Sequence, residues 1–394
     1  MPSIARKNLF EDLSRFLVAQ AGIAFAVSLV TIQTGMFRGA IRSTSLLIDR
    51  SRADIWVASQ NVSALELTLQ IPYERLTQAR EVPGVERAEA LLGVGSLWRD
   101  SEGHINHVRV FGFEPDSELF VPGTISKGRL LDLKKPYRIF IDEKSFDGLN
   151  VGGWRRELVE LGAFSTLVVG FTKETQSTIS SPFVFTSLEN ALAYAIAPMG
   201  DEPLQGPAPE PPELTSDDTI SYVLVRAEPG QDLQELKRKL EAALPYTRAY
   251  TGEEFAAKTR DYWEGRTGIG FILGLGAIVG AIVGVVVVSQ ILYSSVSDHL
   301  KEFGTLKAIG ASDWVIYGVI IEQALWMAVL GYIPGMALCF GVSYWALVSK
   351  GIVILITPSI SAWVFGITTI MCISSSIFAI QKVNRVDPAI VFKA

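Results

Sequence analysis

Two histidines, His104 and His107, stand three residues apart in the segment HINH. On a helix that spacing would put two metal ligands on one face. Gly103 before them and VRVFGF after them describe a turn entering a strand instead, and there the same spacing sends the two rings to opposite faces. Other patterns that carry chemistry are missing from the sequence. It has no G-x-x-x-x-G-K-[ST] to cradle a phosphate, no G-x-S-x-G nucleophile turn, no H-E-x-x-H and no Cys/His cluster at zinc spacing. Cys339 and Cys372 fall in apolar runs, where they read as small packing residues and cannot staple a polar domain. Glu322 is essentially the only ionisable residue inside the long apolar segments, and it lies near the start of one. No catalytic residue and no metal ligand is assigned. If ATP drives this protein, another chain binds it.

The distribution of charge shows which elements must carry a function. The chain has 394 residues, of which 19% are charged against a typical quarter, and its mean hydropathy is +0.30. Of 76 acidic and basic residues, 60 lie between Arg38 and Arg266 and 16 in the remaining 165 positions. Four runs hold no charge at all: 16–37, 267–297, 323–349 and 351–381. Roughly 20 apolar residues cross a bilayer as a helix, so these lengths exclude a wholly soluble protein. A net charge of −6 argues against nucleic acid as a partner.

The expected fold class is a membrane α-helical protein of four transmembrane helices, with a large extracytoplasmic α/β domain inserted between spans 1 and 2. The spans are placed at 16–37, 267–293, 315–348 and 357–381. The first has a basic start like a secretory signal, but its apolar stretch is too long and no small-x-small cleavage site follows it before Arg38. It reads as an uncleaved anchor. Short segments set orientation through their Lys and Arg. Residues 1–15 carry three, the 294–314 loop carries Lys301 and Lys307, and the 382–394 tail carries Lys382, Arg385 and Lys393. All three are therefore expected in the cytoplasm, with 38–266 outside.

That outer region reads as two β-α-β units flanking a strand-rich middle. The first has a strand in 53–59, a helix over 72–80 and extended chain at 85–98. In the second, a strand at 219–226 precedes a helix at 231–243 with Leu233, Leu236, Leu240 and Leu244 on one face, then extended chain at 247–250. Between them, strands are expected at 107–113, 138–142, 157–161 and 165–171. The proline-rich stretch 198–213 is expected to be loop.

Two features of the membrane part stand out. Span 2 carries Gly270, Gly274, Gly276, Gly280 and Gly284, and such small residues allow close helix approach, either within one protomer or at a dimer seam. Between spans 2 and 3 lies Ser297–Asp313, in which Leu300, Phe303, Leu306 and Ile309 recur at three-residue steps. Lys301, Glu302, Thr305 and Lys307 stand opposite, Gly304 and Gly310 punctuate the run, and His299 opens it. Periodicity alone leaves two readings open: a helix that receives a push from a partner, or one lying on lipid.

The run K-E-F-G-T-L-K-A-I-G-A-S, Lys301 to Ser312, resembles the signature [RK]-E-[IF]-G-x-[LM]-[RK]-A-[IL]-G-A-[ST] of the FtsX-like, MacB-type (type VII) ABC exporter permeases. Asn384–Ala389 resembles that family's closing R-x-x-P-[VA] element, and the topology agrees over nearly the whole chain. MacB fuses an ATPase domain ahead of its first span. Here 15 residues precede span 1, which points to the separate-subunit branch, and the segment Asp54–Val57 resembles DevC-type permeases of glycolipid exporters. The resemblance implies a homodimer, a separate ATPase that binds ATP and Mg, a periplasmic adaptor and an outer-membrane channel. It implies coupling to the ATPase through His299, Leu300, Lys301, Glu302, Phe303, Gly304, Leu306, Lys307, Ile309 and Gly310. It also implies porter-like and Sabre-like subdomains outside, and a place in the cell inner membrane. Two relatives imply other roles. FtsX proper regulates cell-wall hydrolases but has a smaller external domain than residues 38–266, and Lol-type extractors of lipoproteins carry a hook loop that is not identifiable here.

Overall fold

A computed structural model describes residues 13–152, 157–197, 208–266 and 268–384. Along the chain come helix α1 (Leu13–Ser43), strand β1 (Ile55–Ser59), helix α2 (Glu74–Arg80), then strands β2 (Val85–Arg99) and β3 (Ile105–Phe113). Strands β4 (Thr124–Lys127), β5 (Arg138–Asp142), β6 (Glu157–Leu161), β7 (Phe164–Lys173) and β8 (Phe183–Ser187) follow. Next are helix α3 (Leu188–Ile196), strand β9 (Tyr222–Ala227), helix α4 (Leu233–Ala243), strand β10 (Thr247–Thr251) and helix α5 (Gly252–Arg266). Helices α6 (Ile269–Asp298), α7 (Leu300–Ala308), α8 (Asp313–Lys350) and α9 (Pro358–Asn384) come last. The chain forms two compact units: 40–267, and 1–39 together with 268–394.

In the first unit these ten strands form one sheet of order β10-β1-β9-β2-β3-β8-β5-β7-β4, with β6 bonded to β2 and β7, and Ile71–Pro72 pairs with Thr219–Ile220 in a separate two-stranded sheet. The two expected β-α-β units are β1-α2-β2 and β9-α4-β10, and they interleave. Strand β1 lies between β10 and β9, and β9 bonds to β2, all antiparallel. That is the split β-α-β-β-α-β arrangement, with the strand-rich middle inserted at its centre. Alternation along β1 sends Ile55 and Val57 to one face and Trp56 and Ala58 to the other. The first face is covered by Leu76 and Ala79 of α2, Leu188 and Leu192 of α3, and Leu236 and Leu240 of α4. Opposite them, Trp56 packs with Tyr222 and with Phe255 of α5, both at 5.4 Å between ring centroids. Strands β4 and β8 and helices α3 and α5 were not anticipated from the sequence. Residues 198–207 of the proline-rich stretch lie outside the described residues, and 208–213 hold no helix or strand.

Glu89, 5% exposed on β2, fixes the loop at 117–119 to this sheet. Its carboxylate accepts from the N–H groups of Glu118 at 3.0 Å and Leu119 at 3.1 Å, from Arg87 at 2.5 Å, and from the Ser117 hydroxyl. Burial alone would raise its pKa. The Ser117 hydroxyl, the two N–H groups and the Arg87 guanidinium outweigh that and hold it below the usual carboxylate range.

Among the described residues the second unit has four helices long and apolar enough to cross a membrane: Leu13–Ser43, Gly270–Asp298, Asp313–Ser349 and Pro358–Lys382. Their shared core includes Ile23, Val27, Val288, Ile320, Met327 and Val364. Polar side chains in it bond across helices, as Ser28 does to the Gly335 carbonyl at 3.3 Å and Ser375 to the Val285 carbonyl at 3.1 Å. Helix α8 ends at Gly351, whose φ of +64° suits glycine. The chain then runs against α1: Leu355 donates its N–H to the Gly35 carbonyl at 3.0 Å, and a side chain on Gly39 would collide with the Val353 carbonyl. Here two glycines of α1 permit backbone contact.

Candidate coupling segment

The segment after α6 forms an elbow of three elements. His299 terminates α6, with its N–H directed at the Ser295 carbonyl at 3.3 Å, and opens α7, where Phe303 donates to the His299 carbonyl at 3.1 Å. At the other end Gly310, φ +96°, donates to Lys307 at 3.0 Å and Ala311 donates to Leu306 at 2.9 Å. This is a Schellman cap, and it requires the left-handed conformation that only glycine adopts without strain. Lys307 then pairs with Asp313 at 2.9 Å, so the last turn of α7 is tied to the first turn of α8.

The apolar stripe of α7 does not all face one way. Phe303 is 2% exposed and belongs to the core of its own helical bundle; Gly304 is buried and Leu306 packs at that core's edge. Leu300 is half-buried. Ile309 is 79% exposed, as is Trp314 at 81% in the first turn of α8. Phe303, expected from the family resemblance to reach a partner, therefore anchors the elbow, because the bundle offers it apolar neighbours in the same chain. Lys307 is likewise committed within the chain. Among the described residues the outward surface includes Glu302, Thr305, Ile309, Gly310, Ser312, Asp313 and Trp314, of which the sequence did not single out Trp314. Lys301 lies on the same helix.

Further charges gather at this end of the bundle. Arg15 at the start of α1 pairs with Asp298 at the end of α6 and reaches Ser294 at 3.3 Å. Lys382 near the end of α9 donates to the Tyr293 hydroxyl at 2.8 Å. Helices α1 and α9 are thus each tied to α6, and α8 is tied to α7.

The glycines of α6 mostly meet helices of the same protomer. A side chain at Gly270 would meet Phe37, at Gly276 Gln33, at Gly280 Leu29, and at Gly284 both Met371 and Ala26. Only around Gly274 is the space open within 4 Å. His104 sits in a hairpin turn, with its Nδ1 3.0 Å from the Asp100 carboxylate; His107 lies in β3 opposite Leu97. Among the described residues no three His, Cys, Asp or Glu side chains group as metal ligands.

Among the described residues four long apolar helices, with an α/β unit inserted in the chain between the first and second, define a multi-pass membrane protein. The sequence model of the MacB-like periplasmic core domain matches residues 16–243, and that of the FtsX-like permease C-terminal matches residues 274–388. The first covers more than half of the chain, which therefore belongs to the MacB-type, FtsX-like ABC transporter permeases. It is a transporter subunit of a family that works with an ATPase, and its inserted unit is extracellular.

Relatives agree. An uncharacterized ABC transporter permease of Mycobacterium tuberculosis is 23% identical over 378 residues, 95% of this chain and 94% of that one. One from Methanocaldococcus jannaschii is 26% identical over 125 residues, 30% of each chain. Among solved structures, the extracellular domain of the ABC-type transporter YknZ from Gram-positive bacteria aligns with 50% of this chain and 99% of its own, at 12% identity and a TM-score of 0.34. The periplasmic region of MacB from Actinobacillus actinomycetemcomitans aligns with 50% of this chain and 88% of its own, at 8% identity and a TM-score of 0.36. Membership rests on the two sequence models.

Proposed function

We propose that this chain relays the motion of a separate ATPase, bound with ATP and Mg, from the 294–314 segment to the extracellular unit. That unit in turn drives cargo through a periplasmic adaptor into an outer-membrane channel. The observation that carries the reading is the elbow. Helix α7 is locked to its bundle by Phe303, by the Gly310 cap and by the Lys307–Asp313 pair, while Ile309 and Trp314 stay exposed. An element fixed on one side and apolar on the other can transmit displacement, because packed cores deform little. Coupling through His299–Gly310 then divides into an inward set led by Phe303 and an outward set led by Ile309.

The same reading puts both termini and this elbow in the cytoplasm and the chain in the cell inner membrane. It takes glycolipid as the cargo class, following the resemblance to DevC-type permeases. It also pairs two copies along α6, the least buried of the four membrane helices, with 17% of its apolar window covered against 33–44% for the others. No catalytic step belongs to the chain.

Reporter fusions test the orientation on which the relay depends. A reporter after Ser297 is expected to read cytoplasmic, and one in the Asp100–His104 turn external. A cytoplasmic signal from the turn would overturn the relay.

A further inference from the structure

The edge of β2 has a gap one residue wide. Leu91 accepts from the Ser221 N–H at 3.0 Å, and the Ser221 hydroxyl serves both the Gly93 N–H, at 2.9 Å, and its carbonyl, at 3.2 Å. Further along, Leu97 accepts from the Gly162 N–H at 2.8 Å. Gly95 falls between these partners. Opposite it on β3 is Arg109, whose own N–H turns away to the Pro182 carbonyl at 2.8 Å. By antiparallel alternation the Gly95 amide and carbonyl then point out of the ladder, on the side where no strand continues.

A cleft of about 590 Å³ opens there. Gly95 leaves its floor bare: an added Cβ would meet only Arg109 Nη1, at 3.9 Å. The Arg109 guanidinium lines the same cleft and makes no hydrogen bond or ion pair with the described residues. Leu69, 59% exposed, Ile196, 64% exposed, and buried Leu192 supply apolar walls. Two acids also line the cleft. Asp218 is occupied by the Thr215 N–H at 2.7 Å and hydroxyl at 2.9 Å, and Asp217 is exposed.

Within reach of the Arg109 charge is Glu66, 8% exposed, beside the Ser180 hydroxyl and the Trp263 indole. Groups facing it are Arg109 from β3, Ser180 from the loop before β8, Trp263 from α5 and Tyr222 from β9. Burial pushes its pKa up to about 6 against the pull of Ser180, Arg109 and Trp263.

We propose that this cleft binds the anionic head of a small amphiphile, a carboxylate, phosphate or sulfonate on a short apolar chain, between the Arg109 guanidinium and the Gly95 amide. A guanidinium fork and a backbone N–H are matched donors for a planar or tetrahedral oxyanion. The apolar walls favour a ligand with a tail over a bare inorganic anion, and a gap one residue wide is too short for an added strand. Glu66 shares the field of Arg109, so an anion in the cleft binds more tightly once Glu66 has taken up its proton. The site stands whether or not the elbow couples to an ATPase.

Octanesulfonate, whose charge is fixed between pH 5.5 and 7.5, is the probe. It is titrated calorimetrically into the full chain in nanodiscs of zwitterionic lipid. The expected result is one saturable site, weakened at least tenfold in Arg109→Gln, partly restored in Arg109→Lys, and tighter at pH 5.5 than at 7.5. Glu66→Gln should bind equally at both pH values. In nanodiscs containing phosphatidylglycerol, loss of the isotherm supports the site with a bilayer headgroup as its occupant, and persistence supports it with a soluble anion. Arg109→Gln and Arg109→Lys proteins that unfold at the wild-type temperature and give the wild-type isotherm would overturn the proposal. So would inorganic sulfate binding as tightly as octanesulfonate, or a pH dependence that survives in Glu66→Gln.

Discussion

Replacing Ile309 by Asp and, separately, Phe303 by Ala distinguishes the outward surface of the elbow from its anchor. Ile309 is 79% exposed, so its loss should change the stability of the chain by no more than about 0.5 kcal/mol. If it fills an apolar pocket on the ATPase, burying a carboxylate there costs at least about 2 kcal/mol, which is about 30-fold in affinity. Phe303 is 2% exposed in the core of the bundle, and truncating a core phenylalanine costs about 3–5 kcal/mol. Freed from that anchor, α7 spends less time in the position an ATPase can engage, and apparent affinity falls by the lost fraction. The assay is ATPase binding to each purified variant, with stimulated hydrolysis and thermal unfolding measured on the same samples. Ile309→Asp should lose binding and keep its unfolding temperature, whereas Phe303→Ala should lose both. An Ile309→Asp protein with wild-type affinity and stimulation refutes docking at this surface. An unchanged unfolding temperature in Phe303→Ala refutes the anchor.

Three further outcomes are expected. Gly280→Leu should cost folding yield of the single protomer, because even a Cβ there would stand 2.7 Å from Leu29 Cδ2; size-exclusion chromatography of that variant should show aggregate in place of a monodisperse peak. Glu66→Gln should raise stability at pH 7.5 by up to about 2 kcal/mol but by no more than about 0.5 kcal/mol at pH 4.5, as read by chemical unfolding. The sign follows from a carboxyl raised from 4.5 to about 6: its stabilising protonated form is complete below 4.5 and lost as pH rises through 6. Glu89→Ala should cost about 3 kcal/mol at neutral pH, since the N–H groups of Glu118 and Leu119 lose their acceptor, and the wild-type advantage should shrink as acid protonates Glu89.

Strong periodicity made much of the fold legible. The strands at 138–142 and 157–161 and the leucine face of α4 follow directly from alternation and from three- and four-residue spacing. Helix α3 was hidden because six of its nine residues are buried, leaving no polar face to show the helical period; the signal present was its cap, Ser187 accepting from the Asn190 N–H. Strand β8 is five residues long and buried on both faces, and its parallel pairing with β3 joins segments more than 70 residues apart that no local pattern links. In the elbow, spacing revealed the apolar stripe of α7 but not its division. An apolar face next to a membrane bundle suits that bundle, lipid or a partner equally well, and only the packing of Phe303 separates it from Ile309. Gly35 and Gly39 were missed for a related reason: the segment that approaches them lies over 300 residues away.

Photo-crosslinking from position 309 in native membranes tests the relay most directly. A benzophenone amino acid replaces Ile309, a site 79% exposed in the structure, and the cells are irradiated with and without depletion of ATP. Docking at the elbow predicts an adduct with the ATPase whose yield changes with nucleotide. Adducts confined to lipid, with the ATPase present and uncrosslinked, would contradict it.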